Sequence, residues 1–187
     1  NIFLPTSRQA SCNYGIGVDG RVGMYVEEKN RSWCSSSSAN DQRAITIECA
    51  SDATEPYAFK DVVYQKLITL CVDICKRNGK KKLLWLGDKD KTLSYEPKSD
   101  EMVLTVHRWF ANKSCPGNWM YARMGDLAEK VTAQLGGSSG STGTSATQLY
   151  RVRKTWTDSK SQKGAYKILS NAKKCADANP GYSAVSY

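Results

Sequence analysis

Two residues of this 187-residue chain stand out for their chemistry: His107, the sole histidine, and Cys115, eight positions further on. His107 closes the apolar run Met102-Val-Leu-Thr-Val-His107, and Cys115 sits in Lys113-Ser-Cys-Pro-Gly117. An imidazole and a thiolate are both good zinc ligands, and a strand end followed by a loop can bring two such groups to one ion while leaving a position open to water. Taken alone, such a pair is more often structural than metal-binding. Glu48 ends the alternating run Ala44-Ile-Thr-Ile-Glu48 and Lys113 lies two before Cys115. By themselves these two read as a solvent-facing strand residue and a loop charge.

The elements that must position these residues follow from periodicity. Residues 12–18 and 22–28 flank Asp19-Gly20, a dipeptide that favours a tight hairpin turn, and so predict two antiparallel strands. Ala44–Ala50 predicts a third, with Ile45 and Ile47 on one face and Thr46 and Glu48 on the other. Phe59–Arg77 carries Val62, Val63, Leu67, Leu70, Cys71 and Ile74 at helical spacing and stops at Asn78-Gly79. Cys71 and Cys75 then read as core thiols, since free cysteine buries like a small hydrophobe. Leu83–Leu86 and Met102–His107 predict further strands, and Trp119–Leu135 a last helix. The order predicts an α/β fold, a mixed central sheet with flanking helices.

Gly, Ser and Thr fill residues 136–147 almost completely, which predicts a flexible tether over 137–147 between a domain at 1–136 and a module at 148–187. In the module, Leu149–Trp156, Leu169–Ala178 and Tyr182–Tyr187 predict a small βαβ unit, with Ser170 as a helix cap. It holds eight Lys/Arg against two Asp/Glu, so it carries +6 of the chain's net +9. Such asymmetry points to a polyanionic partner or to a solvated face. Seven cysteines without a paired framework suit a reducing cytoplasm rather than structural disulfides. No apolar run reaches the roughly 20 residues of a membrane span, and no signal peptide is visible, so membrane insertion is not expected.

Thr105-Val-His-Arg-Trp109 followed by Asn112-Lys-Ser-Cys-Pro-Gly117 resembles the second half of the zinc site in N-acetylmuramoyl-L-alanine amidases of the phage-endolysin and peptidoglycan-recognition type. Ser11–Gly20 is similar to that family's second strand and turn, and Ala44–Glu48 to the strand that supplies its buried acid. The resemblance covers residues 1–136. It implies a peptidoglycan hydrolase that cleaves the amide between N-acetylmuramic acid and L-alanine and lyses the cell wall, as an endolysin or an autolysin. It further implies Zn2+ held by His107 and Cys115, Glu48 as the acid/base that orients the attacking water, and Lys113 as the cation that steadies the oxyanion. Asn13, where many relatives have a His, would meet substrate together with Trp33 and Ser35 of the polar loop 30–40. Cys12 stands where phage lysozymes have an active-site Tyr.

The family takes a third ligand, another His, from the end of a first strand, and no second His occurs in these 187 residues. The expectation is that this strand lies upstream of Asn1. The basic tail resembles the wall-binding modules of clostridial endolysins and, distantly, sporulation-related peptidoglycan-binding domains. The expected partners are peptidoglycan and its associated wall polymers, with no nucleic acid, for a monomer made in the host cytoplasm that acts on the wall. A peptidoglycan-binding protein of the same fold without activity is the competing reading. A nucleic-acid binder, suggested by Arg151, Arg153 and Trp156, would leave Glu48, His107 and Cys115 unexplained.

Overall fold

Asp19-Gly20 makes the turn its sequence predicts: Gly20 takes φ 79°, and the Asp19 carboxylate accepts from the Arg21 backbone N–H at 3.0 Å. The computed structural model describes residues 7, 9–136, 150–155, 158–166 and 169–185. The turn joins β1 (Tyr14–Ile16) to β2 (Val22–Met24), antiparallel, with Tyr14 opposite Met24. A single helical turn, α1 (Ser38–Asp41), is capped by Ser37, whose hydroxyl accepts from the Asn40 N–H. Next, β3 (Ile47–Cys49) lies parallel to β1 with Glu48 opposite Gly15. The first sheet is therefore ordered β2-β1-β3.

Apolar residues at helical spacing build α2 (Asp61–Arg77), which buries Val63, Leu67, Leu70, Cys71, Ile74 and Cys75 and stops at Asn78 before Gly79 turns left-handed at φ 66°. The chain continues through β4 (Lys82–Leu84), α3 (Lys89–Ser94, capped by Asp88) and β5 (Glu101–Val103), which runs parallel to β4. A 3-10 turn at His107–Trp109 and the short α4 (Asn118–Tyr121) lead into α5 (Met124–Gln134). Thr132 pins α5 to β4: its hydroxyl accepts from the Leu83 N–H at 3.0 Å and donates to the Leu83 carbonyl at 3.1 Å. Leu127, Val131 and Met124 of α5 join the α2 residues, Leu83 and Val106 in one core. Each such aliphatic side chain contributes about 1.5–3 kcal/mol through burial.

This is the expected mixed α/β arrangement of sheet and helices, with local departures. The strand predicted over 102–107 ends at Val103, because its partner β4 ends at Leu84 and the last rung is the Leu104 N–H to Leu84 carbonyl bond at 2.9 Å. His107 accordingly opens a 3-10 turn instead of closing a strand. Among the described residues β3 pairs only with β1, and β5 only with β4.

The chain divides into two compact units, Asn1–Gly143 and Thr144–Tyr187. The predicted linker at 137–147 lies outside the described residues. In the second unit, β6 (Tyr150–Arg153), β7 (Gly164–Tyr166), α6 (Leu169–Asp177) and β8 (Ser183–Val185) form an antiparallel sheet ordered β7-β6-β8 with one helix. The predicted βαβ unit lacks β7, a three-residue strand that begins with glycine and shows no alternation of its own. The helix starts at Leu169, so Ser170 lies inside it and is not its cap. Val152 and Ala172 form the unit's fully buried centre. No helix among the described residues is long and apolar enough to cross a membrane.

Candidate functional site

β3 delivers Glu48 to a cleft. Ile45 and Ile47 of the same run pack on the core, so period-two alternation turns Thr46 and Glu48 the other way. Thr46 is buried and bonded to Asn13, whereas Glu48 lines a cavity of about 550 Å³ between β3 and the segment after β5. Leu67, Cys71, Met124 and Leu127 form part of its apolar wall. Glu48 also lines an open groove on its other side, as do His107, Cys115, Cys34 and Cys49. Three of the residues expected to carry chemistry thus come together from separate segments.

His107 reaches the site from the 3-10 turn, and its Nε2 lies 3.0 Å from the Ser36 hydroxyl. Ser36 has φ 63°, a left-handed backbone that serine rarely takes, and that turn carries its hydroxyl to the imidazole. Cys115 is exposed at the cleft. The following Gly117 could be no other residue: at φ 82°, a Cβ would fall 2.7 Å from Tyr57 Cβ and 3.0 Å from the Pro56 carbonyl oxygen. Lys113 is exposed and lines the open groove with Trp33. Trp33 is 56% exposed, lies under the Arg31 guanidinium at 5.3 Å, and is anchored by its backbone N–H, which donates to the Ser11 hydroxyl at 2.9 Å.

Of the residues expected at substrate, Asn13 lies inside the fold, whereas Ser35 lines the cavity beside Glu48. Asn13 is wholly buried: its side chain accepts from the N–H and hydroxyl of Thr46 and donates to the carbonyls of Val26, Glu27 and Asn30. Both polar atoms of that side chain are engaged inside the fold, so it has none to offer a ligand. Ser35 is 5% exposed; its N–H donates to Asp41, and its hydroxyl accepts from Asn40 and donates to the Ser37 carbonyl.

Sequence reasoning missed Asp41 and Cys34. Asp41, buried in α1, accepts from the backbone N–H groups of both Cys34 and Ser35 and so fixes the loop against the cleft. Cys34 donates its thiol proton to the Glu48 carboxylate at 3.6 Å. No local pattern announces either contact, because both are made across the loop's fold. Burial first, then the Glu48 charge, raises the thiol pKa of Cys12 to about 12, and the same two causes in that order push Cys34 up further. Cys49 is also raised, by burial, then Cys71, then Glu48. Cys115 is raised too, by burial and then Glu48, against smaller opposing effects of its backbone hydrogen bond, Lys113 and Arg108. Of the four thiols around Glu48, Cys115 alone is exposed and has cations beside it.

Imidazole and thiol are donors that zinc accepts, so His107 and Cys115 fit the ion in kind. Among the described residues no group of three or more His, Cys, Asp and Glu is arranged to hold a metal. The pair is thus one protein donor short of the three typical of a catalytic zinc.

The sequence model of the N-acetylmuramoyl-L-alanine amidases matches residues 3–118, and the chain belongs to that family. Among curated proteins and among solved structures nothing matches it.

Proposed function

We propose that this member of the N-acetylmuramoyl-L-alanine amidase family cuts the amide bond between N-acetylmuramic acid and L-alanine in peptidoglycan, as a zinc-dependent, wall-lysing endolysin or autolysin. The observation that carries the reading is the convergence of Glu48, His107 and Cys115 on one cleft. An amide has a poor electrophile and a poor leaving group, so its hydrolysis needs an activated water, a stabilised oxyanion and a proton for the amine.

Glu48 takes a proton from water as its oxygen attacks the carbonyl carbon. The same carboxyl then passes that proton to the alanine nitrogen as the C–N bond breaks. Lys113, on the groove, places its ammonium against the oxygen that gains charge. His107 and Cys115 are the residues that would hold zinc, and the chemistry the ion supplies when bound is polarisation of a carbonyl and acidification of water. Trp33 offers an exposed ring for a sugar face. Binding of the second unit to the wall polymers is supported by its charge and by Tyr182, which has the Lys154 and Lys163 ammonium groups 5.8 and 5.5 Å from its ring centre.

Mass spectrometry of wall digests is the test: new free amino termini on L-alanine are expected, and new reducing sugar ends without free amines would refute amide cleavage. The second reading is a protein of this fold that binds peptidoglycan without cutting it, on the exposed Trp33 ring that lines the groove. Sedimentation with walls that releases no amines at any zinc concentration would establish that reading instead.

A further inference from the structure

We infer that Arg108 is the positioning residue that holds His107 and Cys115 at the spacing a shared ligand requires. The inference rests on the metal-site reading above for its purpose, though not for its geometry. Between the 3-10 turn and α4 the chain has no regular structure, and residues 112–115 are exposed. Most of this loop's own hydrogen bonds are short-range, such as Ala111 N–H to His107 at 3.2 Å, Lys113 N–H to Ala111 at 2.8 Å and Gly117 N–H to Ser114 at 2.7 Å. Bonds of that span shape a turn but do not fix the distance between its ends.

Among the described residues, every hydrogen bond from the 107–109 turn to residues 114–118 is made by Arg108. Its backbone N–H donates to the Cys115 carbonyl at 3.0 Å. One terminal nitrogen of its guanidinium donates to the Ser114 carbonyl and the other to Asn118 Oδ1 at 3.1 Å. The neighbour of one donor thus grips both sides of the other. The guanidinium also lies 4.6 Å over Tyr121, which stands edge-on to Trp85, itself stacked on Trp109 at 4.9 Å. That aromatic wall gives the clamp a rigid backing. Arg108 Nε is buried without a hydrogen-bond partner in the described chain, a cost that an arginine serving only solubility would avoid. A planar fork can reach both acceptors at once, which a single ammonium cannot.

The test compares Arg108→Ala and Arg108→Lys with Arg123→Ala in the 187-residue chain. Arg123 is a matched control: it donates to the Trp119 carbonyl at 2.9 Å and lies 4.0 Å over the Trp119 ring, and among the described residues it has no hydrogen bond to residues 107–115. Backbone hydrogen exchange of the 107–118 peptide is measured without metal, and Co2+ affinity is read from the thiolate-to-cobalt absorption band. Arg108→Ala should deprotect the loop and weaken Co2+ binding about 10–100-fold, the usual effect of losing a residue that orients a ligand. Arg108→Lys should recover little of either, and Arg123→Ala should change neither even where it lowers the melting temperature. Loop exchange and cobalt affinity in Arg108→Ala matching those of Arg123→Ala would overturn the inference. Loop deprotection in Arg108→Ala together with no cobalt band in the parent chain would uphold the clamp and refute the metal reading instead.

Discussion

Replacing Asn13 with alanine should destabilise the first unit without touching its chemistry. The side chain makes five hydrogen bonds, all to groups of the fold: two from Thr46 and three to the carbonyls of Val26, Glu27 and Asn30. The Thr46 hydroxyl keeps its bond to Ser32 at 2.7 Å, but the buried Thr46 N–H loses its acceptor. An unsatisfied buried donor costs about 1–3 kcal/mol, and three carbonyls stripped of a shared donor add to that. The expected loss is about 3–5 kcal/mol, a large fraction of the 5–15 kcal/mol typical of a whole domain. With a slope of about 2 kcal/mol per molar urea, the unfolding midpoint should fall by roughly 2 M. Under conditions where the variant is still folded, KM for a soluble muropeptide should equal that of the parent. A stability change below about 1 kcal/mol together with a raised KM would refute the reasoning and return Asn13 to the substrate.

Glu48→Gln should lower amine release about 10²–10⁴-fold while leaving the urea midpoint near the parent's, since among the described residues its carboxylate accepts only from the Cys34 thiol; unchanged release would show that Glu48 is not the acid/base. Lys113→Ala should lower kcat by about 10²–10³ with no loss of stability, given its exposure, and an effect on stability alone would remove it from catalysis. Cys12 has a folded pKa of about 12 against 9.0, raised by burial first and then by the Glu48 charge, so its stabilising contribution is full below pH 9 and is lost as pH rises towards 12. Under reducing conditions unfolding free energy should therefore fall above pH 9, and Cys12→Ala should flatten that fall by up to about 1.4 kcal/mol per pH unit; an identical slope would refute the contribution. Deleting residues 138–187 should reduce sedimentation with walls, most at low salt, and leave hydrolysis of soluble muropeptides intact; equal sedimentation would place targeting in the first unit.

What the sequence made legible was whatever neighbouring residues decide among themselves. The hairpin turn needs only Asp19 and Gly20, and α2 announces itself because its buried positions recur every three to four residues. The direction of Glu48 follows from alternation with Ile45 and Ile47 in the same way. Positions settled by partners distant in sequence were not legible. Residues 102–107 read as one apolar strand, yet the ladder stops where β4 stops, so His107 enters the cleft from a 3-10 turn. β7 exists because β6 offers it an edge, with Tyr166 opposite Tyr150, and its own three residues carry no signal.

The same distinction governs the electrostatics of the cleft. Cys12, Cys34, Cys49 and Cys115 are scattered over more than a hundred positions, and their shared carboxylate neighbour is a product of folding alone. Burial and Glu48 raise all four thiols, which would leave the cleft with several neutral sulfurs and no preferred one. Cys115 differs in having the charges of Lys113 and Arg108 beside it, which offset part of that rise. Arg108 therefore serves Cys115 twice, through the loop it ties and through its charge. A loop lysine and the residue after the histidine thus set one thiol of the four apart.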